Sequence, residues 1–187
     1  MAKKRSIETA HDVFRVSLGW CAAARNERGI CAFVLPMSDE RAAEAEVLRR
    51  FPAAPRRRLR LRALREAAQR YFDGWTVRFD EFPVDLSGGT PFQQRVWSVV
   101  RRIPYGQVRT YRWIGMEMGQ PEAARAIGAA VGANPVPLLV PCHRVVAADG
   151  SLCGFSAEGG IDLKAKMLEL ERVRLWGHDA QRKVLVR

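Results

Sequence analysis

The chain has 187 residues with 31 Lys and Arg against 20 Asp and Glu, a formal net charge of +11, and the basic excess is shared by both halves. A chain this long buries about 70% of its unfolded surface as one large or two small domains, and its four cysteines, Cys21, Cys31, Cys142 and Cys153, form no C-x-x-C pair, so neither a zinc ribbon nor a disulfide framework is indicated. No apolar run is long enough for a signal core or a bilayer span, which leads us to expect a cytoplasmic protein with no membrane partner, and the positive charge fits a nucleic-acid partner.

The first elements read as mixed α and β. An apolar run over residues 13–24, a polar turn at Arg25-Asn26-Glu27-Arg28-Gly29 and a second run over residues 30–35 predict a hairpin. Ser38 opens a helical segment carrying Ala42, Ala45, Val47 and Leu48. After Pro52 and Pro55 a second helix is expected over residues 59–72, and a strand over residues 76–82 closes the unit.

Ser87-Gly88-Gly89 has linker composition, and the pattern then changes to helices. Thr90-Pro91-Phe92-Gln93 has the form of a capping box, with Pro at the first helical position. Phe92, Val96, Val99, Val100 and Ile103 follow at helical spacing until Pro104 and Gly106. A second helix starts at Thr110 and runs through Tyr111, Ile114 and Met118 to Gly119. Beyond Gly119-Gln120-Pro121 a third carries Ala123, Ala124, Arg125, Ala126, Ile127 and Gly128 as far as Gly132, so the pair predicts a helix-turn-helix. The side chains of that third helix are nearly all small, with Arg125 projecting from them. Such a helix suits tight packing against protein and entry into a DNA minor groove alike.

Residues 138–146 read as a buried strand that contains Cys142 and His143. Taken alone, a buried Cys beside a buried His is more often core than catalytic. A nucleophilic thiol needs a basic neighbour, because at its ordinary pKa of about 8.5 little thiolate exists near neutrality, and His143 is the candidate. In the last helix Asp162 reads as the N-cap, with Leu163, Met167 and Leu170 on one apolar face together with Glu171. A carboxylate there is costly to bury without a partner. His143 is the partner the sequence best offers, with an edge position open to water as the alternative.

Residues 90 to 171 resemble the O6-alkylguanine-DNA alkyltransferases, the methylated-DNA–protein-cysteine methyltransferases. The resemblance rests on Phe92-Gln93-Gln94-Arg95-Val96-Trp97, Ile103-Pro104-Tyr105-Gly106, Thr110-Tyr111, Ala123-Ala124-Arg125-Ala126-Ile127-Gly128, Asn134-Pro135-Val136-Pro137 and Pro141-Cys142-His143-Arg144-Val145-Val146, with Lys164 and Glu171 beyond them. It implies an α/β (α+β) fold class, with a ribonuclease-H-like N-terminal domain over residues 1–86. A helical domain with the helix-turn-helix and the alkyl acceptor would follow over residues 87–187.

It also implies function: irreversible, single-turnover transfer of a methyl or larger alkyl group from O6 of guanine, with O4 of thymine a further candidate, to Cys142. The partner would be duplex DNA containing O6-alkylguanine, its base flipped out of the stack. The protein would act as a monomer, associated with the nucleoid if the source is bacterial, with cooperation along DNA left open. By resemblance His143 and Glu171 activate Cys142, Asn134 braces the turn before it, Tyr111 rotates the nucleotide and donates to the base, and Arg125 fills the vacated stack. Thr110, Ala123, Ala124 and Arg95 would face DNA, while Val145, Phe155, Ser156, Pro137 and Val131 would line the guanine pocket.

The chain departs from the family at Phe155, where several relatives carry tyrosine, at Cys153, where glycine is usual, and in Ser156-Ala157-Glu158-Gly159-Gly160, two residues longer than the common form. These departures bear on pocket width. The alternative is a protein that binds alkylated bases and flags them without transfer, but relatives of that type lack the acceptor cysteine. A transcriptional sensor would need base-reading side chains that an Ala/Gly helix does not supply.

No cofactor is implied. Some relatives hold a structural zinc in the N-terminal domain, for which Cys21, Cys31 and His11 lack an evident fourth ligand, and His178 has no ligand-like neighbour. The run Arg56-Arg57-Arg58 with Arg60, Arg62 and Arg65 reads as a solvated loop and helix face, with contact to DNA as the alternative.

Overall fold

The computed structural model describes residues 8–176 and 183–184; the basic segment over residues 1–7 and His178 lie outside them. The N-terminal half is a three-stranded antiparallel sheet, β1 (Ala10–Val16), β2 (Gly19–Arg25) and β3 (Ile30–Met37), in that order. The apolar run over residues 13–24 is thus two strands, giving a meander in place of a single hairpin. Ser17 and Leu18 make the extra turn, and Gly19 permits it. Its φ is 135°, and a Cβ there would lie 2.4 Å from the Met37 carbonyl oxygen.

Both faces of the sheet are covered. Helix α1 (Glu40–Arg50) is capped by Asp39, one residue after the expected Ser38, whose side chain accepts from Ala42 N at 2.9 Å. It packs with Val13, Ala22, Ala24 and Cys31. A 3-10 turn (Arg58–Leu61) leads into α2 (Arg62–Phe72), which buries Leu64, Ala68, Tyr71 and Phe72 against Phe14, Cys21 and Phe33 on the other face. Part of the arginine run is structural: Arg65 donates to the fully buried Asp12 at 3.1 Å and Arg56 to Glu40 at 3.0 Å, while Arg57 and Arg58 face solvent.

No strand forms over residues 76–82. Phe79 and Phe82 turn inward together, 6.1 Å apart, about a turn in which Phe82 N donates to Phe79 O. The chain meets the sheet only afterwards, where Ile30 N donates to Pro83 O and Asp85 N to Ile30 O.

The C-terminal half begins with α3 (Pro91–Arg101), whose capping box is complete: Thr90 Oγ1 accepts from Gln93 N at 3.3 Å, and Gln93 Oε1 from Thr90 N at 2.9 Å. The two-residue strand β4 (Arg109–Thr110) pairs in parallel with β5 (Val145–Val146). Between them α4 (Tyr111–Glu117) and α5 (Ala124–Gly132) form the helix-turn-helix. Gly115 allows its closeness, because a Cβ there would lie 2.7 Å from Gln120 O.

Helix α6 (Gly160–Leu170) starts at Gly159, with φ of 84°, so Asp162 stands in the first turn and is not the cap. A short pair, β6 (Leu175–Trp176) and β7 (Lys183–Val184), follows. One apolar core runs through both halves, from Phe14, Phe33, Leu64 and Tyr71 to Trp97, Ile127, Leu139, Val145 and Met167. Phe33 N donates across the junction to Pro135 O at 3.1 Å. Among the described residues no helix is long and apolar enough to cross a membrane.

Candidate active site

Cys142 lies on a single 3-10 turn (Cys142–Arg144), with only Val145 and Val146 in a strand, so the expected strand over residues 138–146 is corrected. Pro137 and Pro141 bring no N–H to a ladder, and Leu138 takes the left-handed conformation at φ 76°. Asn134 brackets the resulting turn. Its Oδ1 accepts from Val136 N at 3.0 Å and its Nδ2 donates to Val140 O at 2.7 Å.

The Cys142 side chain reaches a cavity of about 320 Å³ whose walls include Val131, Asn134, Pro137, Phe155 and Ser156. The N-terminal sheet supplies another wall through Phe33, Leu35 and Met37. Glu158, in the longer loop, reaches that sheet's end, where its carboxylate accepts from Ser38 N at 3.1 Å. Burial pushes the Cys142 thiol upward, opposed by the Asn134 amide, the Lys164 ammonium and the backbone N–H groups of Cys142 and His143.

His143 is fully buried and its Nε2 lies 2.8 Å from Glu171 Oε1. A carboxylate only accepts, so Nε2 carries the hydrogen and Nδ1 is the basic nitrogen. Among the described residues Nδ1 has no hydrogen-bond partner. Burial holds the imidazole below its ordinary pKa although Glu171 pulls the other way, which keeps it neutral and able to take a proton.

Glu171 is the C-cap residue of α6, beyond the helical face expected for it, and is 2% exposed. Arg172 ends the helix in a left-handed conformation at φ 60°. The Glu171 Oε1 accepts from His143, from Arg144 Nη2 at 2.9 Å and from Tyr71 Oη at 2.9 Å; Oε2 accepts from Arg144 Nε at 2.9 Å and Gly106 N at 3.1 Å. Burial alone would raise its pKa, yet His143 and Arg144 hold it well below the usual carboxylate range.

Lys164 is buried, with no carboxylate partner among the described residues. Its Nζ donates to Val145 O at 2.6 Å and Cys153 O at 3.0 Å, and lies 5.9 Å from the Phe155 ring centroid. Val145 therefore packs behind the site with its carbonyl engaged, and is not among the cavity-lining residues. Sequence reasoning missed Tyr71, Arg144 and Lys164 as members of the site. Arg144 and Lys164 stood in recognised motifs without a role, and nothing local marked Tyr71.

The remaining residues lie outside the cavity. Thr110 caps α4, accepting from Trp113 N at 3.0 Å, and half-buried Tyr111 has its hydroxyl 3.9 Å from Cys153 Sγ. Burial and the neighbouring thiols raise the Tyr111 pKa, so it stays a donor. Ala123 is the N-cap of α5, and Ala124 and Arg125 are exposed on its first turn. Arg95 ties α3 to the end of α4 through Met118 O at 3.1 Å.

The residues considered for zinc do not fit one. Cys21 faces the α2 side of the sheet and Cys31 the α1 side. His11 is committed to Ala54 O at 2.8 Å and Glu44 at 2.9 Å. Among the described residues no group of three His, Cys, Asp or Glu is placed to hold a metal ion.

Residues 91–173 match the family described as 6-O-methylguanine DNA methyltransferase, DNA binding domain. A methylated-DNA–protein-cysteine methyltransferase of Mycobacterium tuberculosis is 50% identical over 104 residues, 56% of this chain and 61% of that protein. One of Methanosarcina barkeri is 42% identical over 115 residues, 59% of this chain and 70% of that protein. The first relatives are thus matched over about three fifths of their length. Among solved structures, Mycobacterium tuberculosis O6-methylguanine methyltransferase superposes with a TM-score of 0.71 at 34% identity, over 88% of this chain and 93% of that one. The Mycobacterium tuberculosis OGT in complex with DNA gives 0.66 at 32% identity, over 87% and 92%.

Proposed function

Because this chain belongs to the methylated-DNA–protein-cysteine methyltransferases, we propose that it repairs duplex DNA by moving an alkyl group from O6 of guanine, or O4 of thymine, onto Cys142, once per molecule. The observation that carries the reading is a cavity-facing thiol, Cys142, next in the chain to a buried imidazole, His143, that is bonded to the Glu171 carboxylate. His143 Nδ1 takes the thiol proton, directly or through one water, and the thiolate attacks the alkyl carbon in line. A sulfur–carbon bond forms as the carbon–O6 bond breaks, and that electron pair passes to the guanine. The Tyr111 hydroxyl donates to the departing base. Arg125, exposed on a helix of small residues, occupies the place the flipped base leaves.

In this reading residues 1–86 and 87–187 are two domains of one monomer, the second holding the DNA-facing helices. The test is the intact mass of the protein after mixing with a duplex containing O6-methylguanine, followed by peptide mapping. A gain of one methylene on Cys142, with guanine restored, is the expected result. Cys142→Ala should still bind the lesion and gain nothing, and Arg125→Ala should bind it more weakly. Tight lesion binding with unchanged mass would mean a protein that flags lesions without transfer.

A further inference from the structure

We propose that Tyr71, supplied by α2 of the N-terminal half, is a positioning residue for the alkyl acceptor: its hydroxyl anchors the Glu171 oxygen to which His143 is bonded, and so sets how well His143 takes up the Cys142 proton. The inference rests on the reading of Cys142 as acceptor, but it concerns a group from the other half of the chain. Tyr71 is 1% exposed, and its hydroxyl donates to Glu171 Oε1 at 2.9 Å. The same oxygen atom of Tyr71 lies 3.4 Å from His143 Nε2 and 3.4 Å from Met167 O. Its ring meets the imidazole edge-on, with centroids 6.4 Å apart.

The stoichiometry at Glu171 gives this contact its consequence. Oε1 receives three donors, from His143, Arg144 and Tyr71, whereas Oε2 receives two. A carboxylate oxygen offers about two lone-pair sites, so the three compete, and each donation leaves less negative charge for the others. The groups facing His143 are Glu171 and Tyr71 on one side, with the Arg144 and Lys164 cations opposing its protonation. Tyr71 itself stays protonated, since burial and the Glu171 charge both raise its pKa. It is therefore a fixed donor that damps the pull of Glu171 on the imidazole. With the hydroxyl gone, Oε1 bears more fully on the Nε2 hydrogen, the imidazolium is stabilised and thiolate forms at lower pH.

The experiment follows the rate of Cys142 alkylation by iodoacetamide against pH, with the site of labelling mapped by mass spectrometry, in the full chain and in Tyr71→Phe. The Phe variant keeps the ring and loses only the hydroxyl; Tyr71→Met fills the same space should the Phe variant not fold. Tyr105→Phe is the control, because its hydroxyl donates to Leu170 O at 2.8 Å, one residue from Glu171 and not to the carboxylate. The expected result is a profile shifted to lower pH in the Tyr71 variant alone. An unshifted profile, a shift to higher pH, or equal shifts in both variants would overturn the proposal. Iodoacetamide reads the thiol without DNA. A chain that fails to accept methyl from O6-methylguanine thus sinks the repair function, while the comparison of profiles still decides the role of Tyr71.

Discussion

Removing the charge of Glu171 leaves Arg144 buried without its counter-charge and gives the His143 hydrogen bond a neutral acceptor in place of a carboxylate. Breaking a buried pair of this kind costs about 3–5 kcal/mol, so Glu171→Gln should lower the urea midpoint sharply at neutral pH. The carboxyl's folded pKa lies below its unfolded one. Its contribution is therefore fully present above the unfolded value, about 4.3, and is lost as pH falls through the folded value. Urea midpoints of the two proteins should converge on acidification, and a gap that is constant with pH would reject the assignment. Lys164 tests the other charge. As the buried cation that lowers the Cys142 pKa, its replacement by Met should move thiol alkylation to higher pH. The pairing of Glu171 with His143 was legible in the sequence, because a carboxylate among apolar helix positions demands a partner. That Tyr71 shares it was not, since a contact spanning 100 residues leaves no trace in local spacing.

Helix ends and turns show where local chemistry suffices to read structure. The capping box at Thr90 is complete within four residues and forms as its spacing predicts, so Thr90→Ala should cost about 1 kcal/mol. The sequence predicts strands over residues 76–82 and 138–146, and neither forms over its whole length. The reason is tertiary in the first, where Phe79 and Phe82 fold inward as a turn, and local in the second, where two prolines with a left-handed Leu138 lift Cys142 out of any ladder. The helix-turn-helix yields a sharper prediction. A Cβ at Gly115 would meet Gln120 O at 2.7 Å and Pro121 Cα at 3.2 Å, both backbone atoms of the turn. Gly115→Ala should destabilise the chain by about 1–3 kcal/mol through overpacking and weaken duplex binding. The Cys142 alkylation profile should stay unchanged, because the acceptor stands on a different element; a profile that moved with it would tie the turn to the thiol. Fluorescence anisotropy with labelled duplex and the iodoacetamide assay separate the two effects.

At the scale of the molecule, the active site is a joint between the halves. The cavity wall includes Phe33 and Leu35 of β3, the Glu171 carboxylate takes Tyr71 of α2, and Pro135 O takes Phe33 N. The linker composition of Ser87-Gly88-Gly89 suggests a boundary, and the two-domain division is a proposal about topology. The core nonetheless passes through it, joining Phe14 and Leu64 to Trp97 and Met167. When a single core spans a boundary, opening one side exposes apolar surface on the other, so unfolding one half alone removes much of what holds its neighbour. Native tryptophans stand on each side, with Trp20 on β2 and Trp97 buried in α3. Two variants, each retaining one of these and carrying Phe at the other four tryptophans, should report the same urea midpoint once each is referred to its own circular-dichroism transition. A Trp20 signal that moves well before the backbone signal would mean that the N-terminal half opens by itself. The Cys142 alkylation profile should then change at the same denaturant concentration, because Tyr71 would leave Glu171 when α2 does.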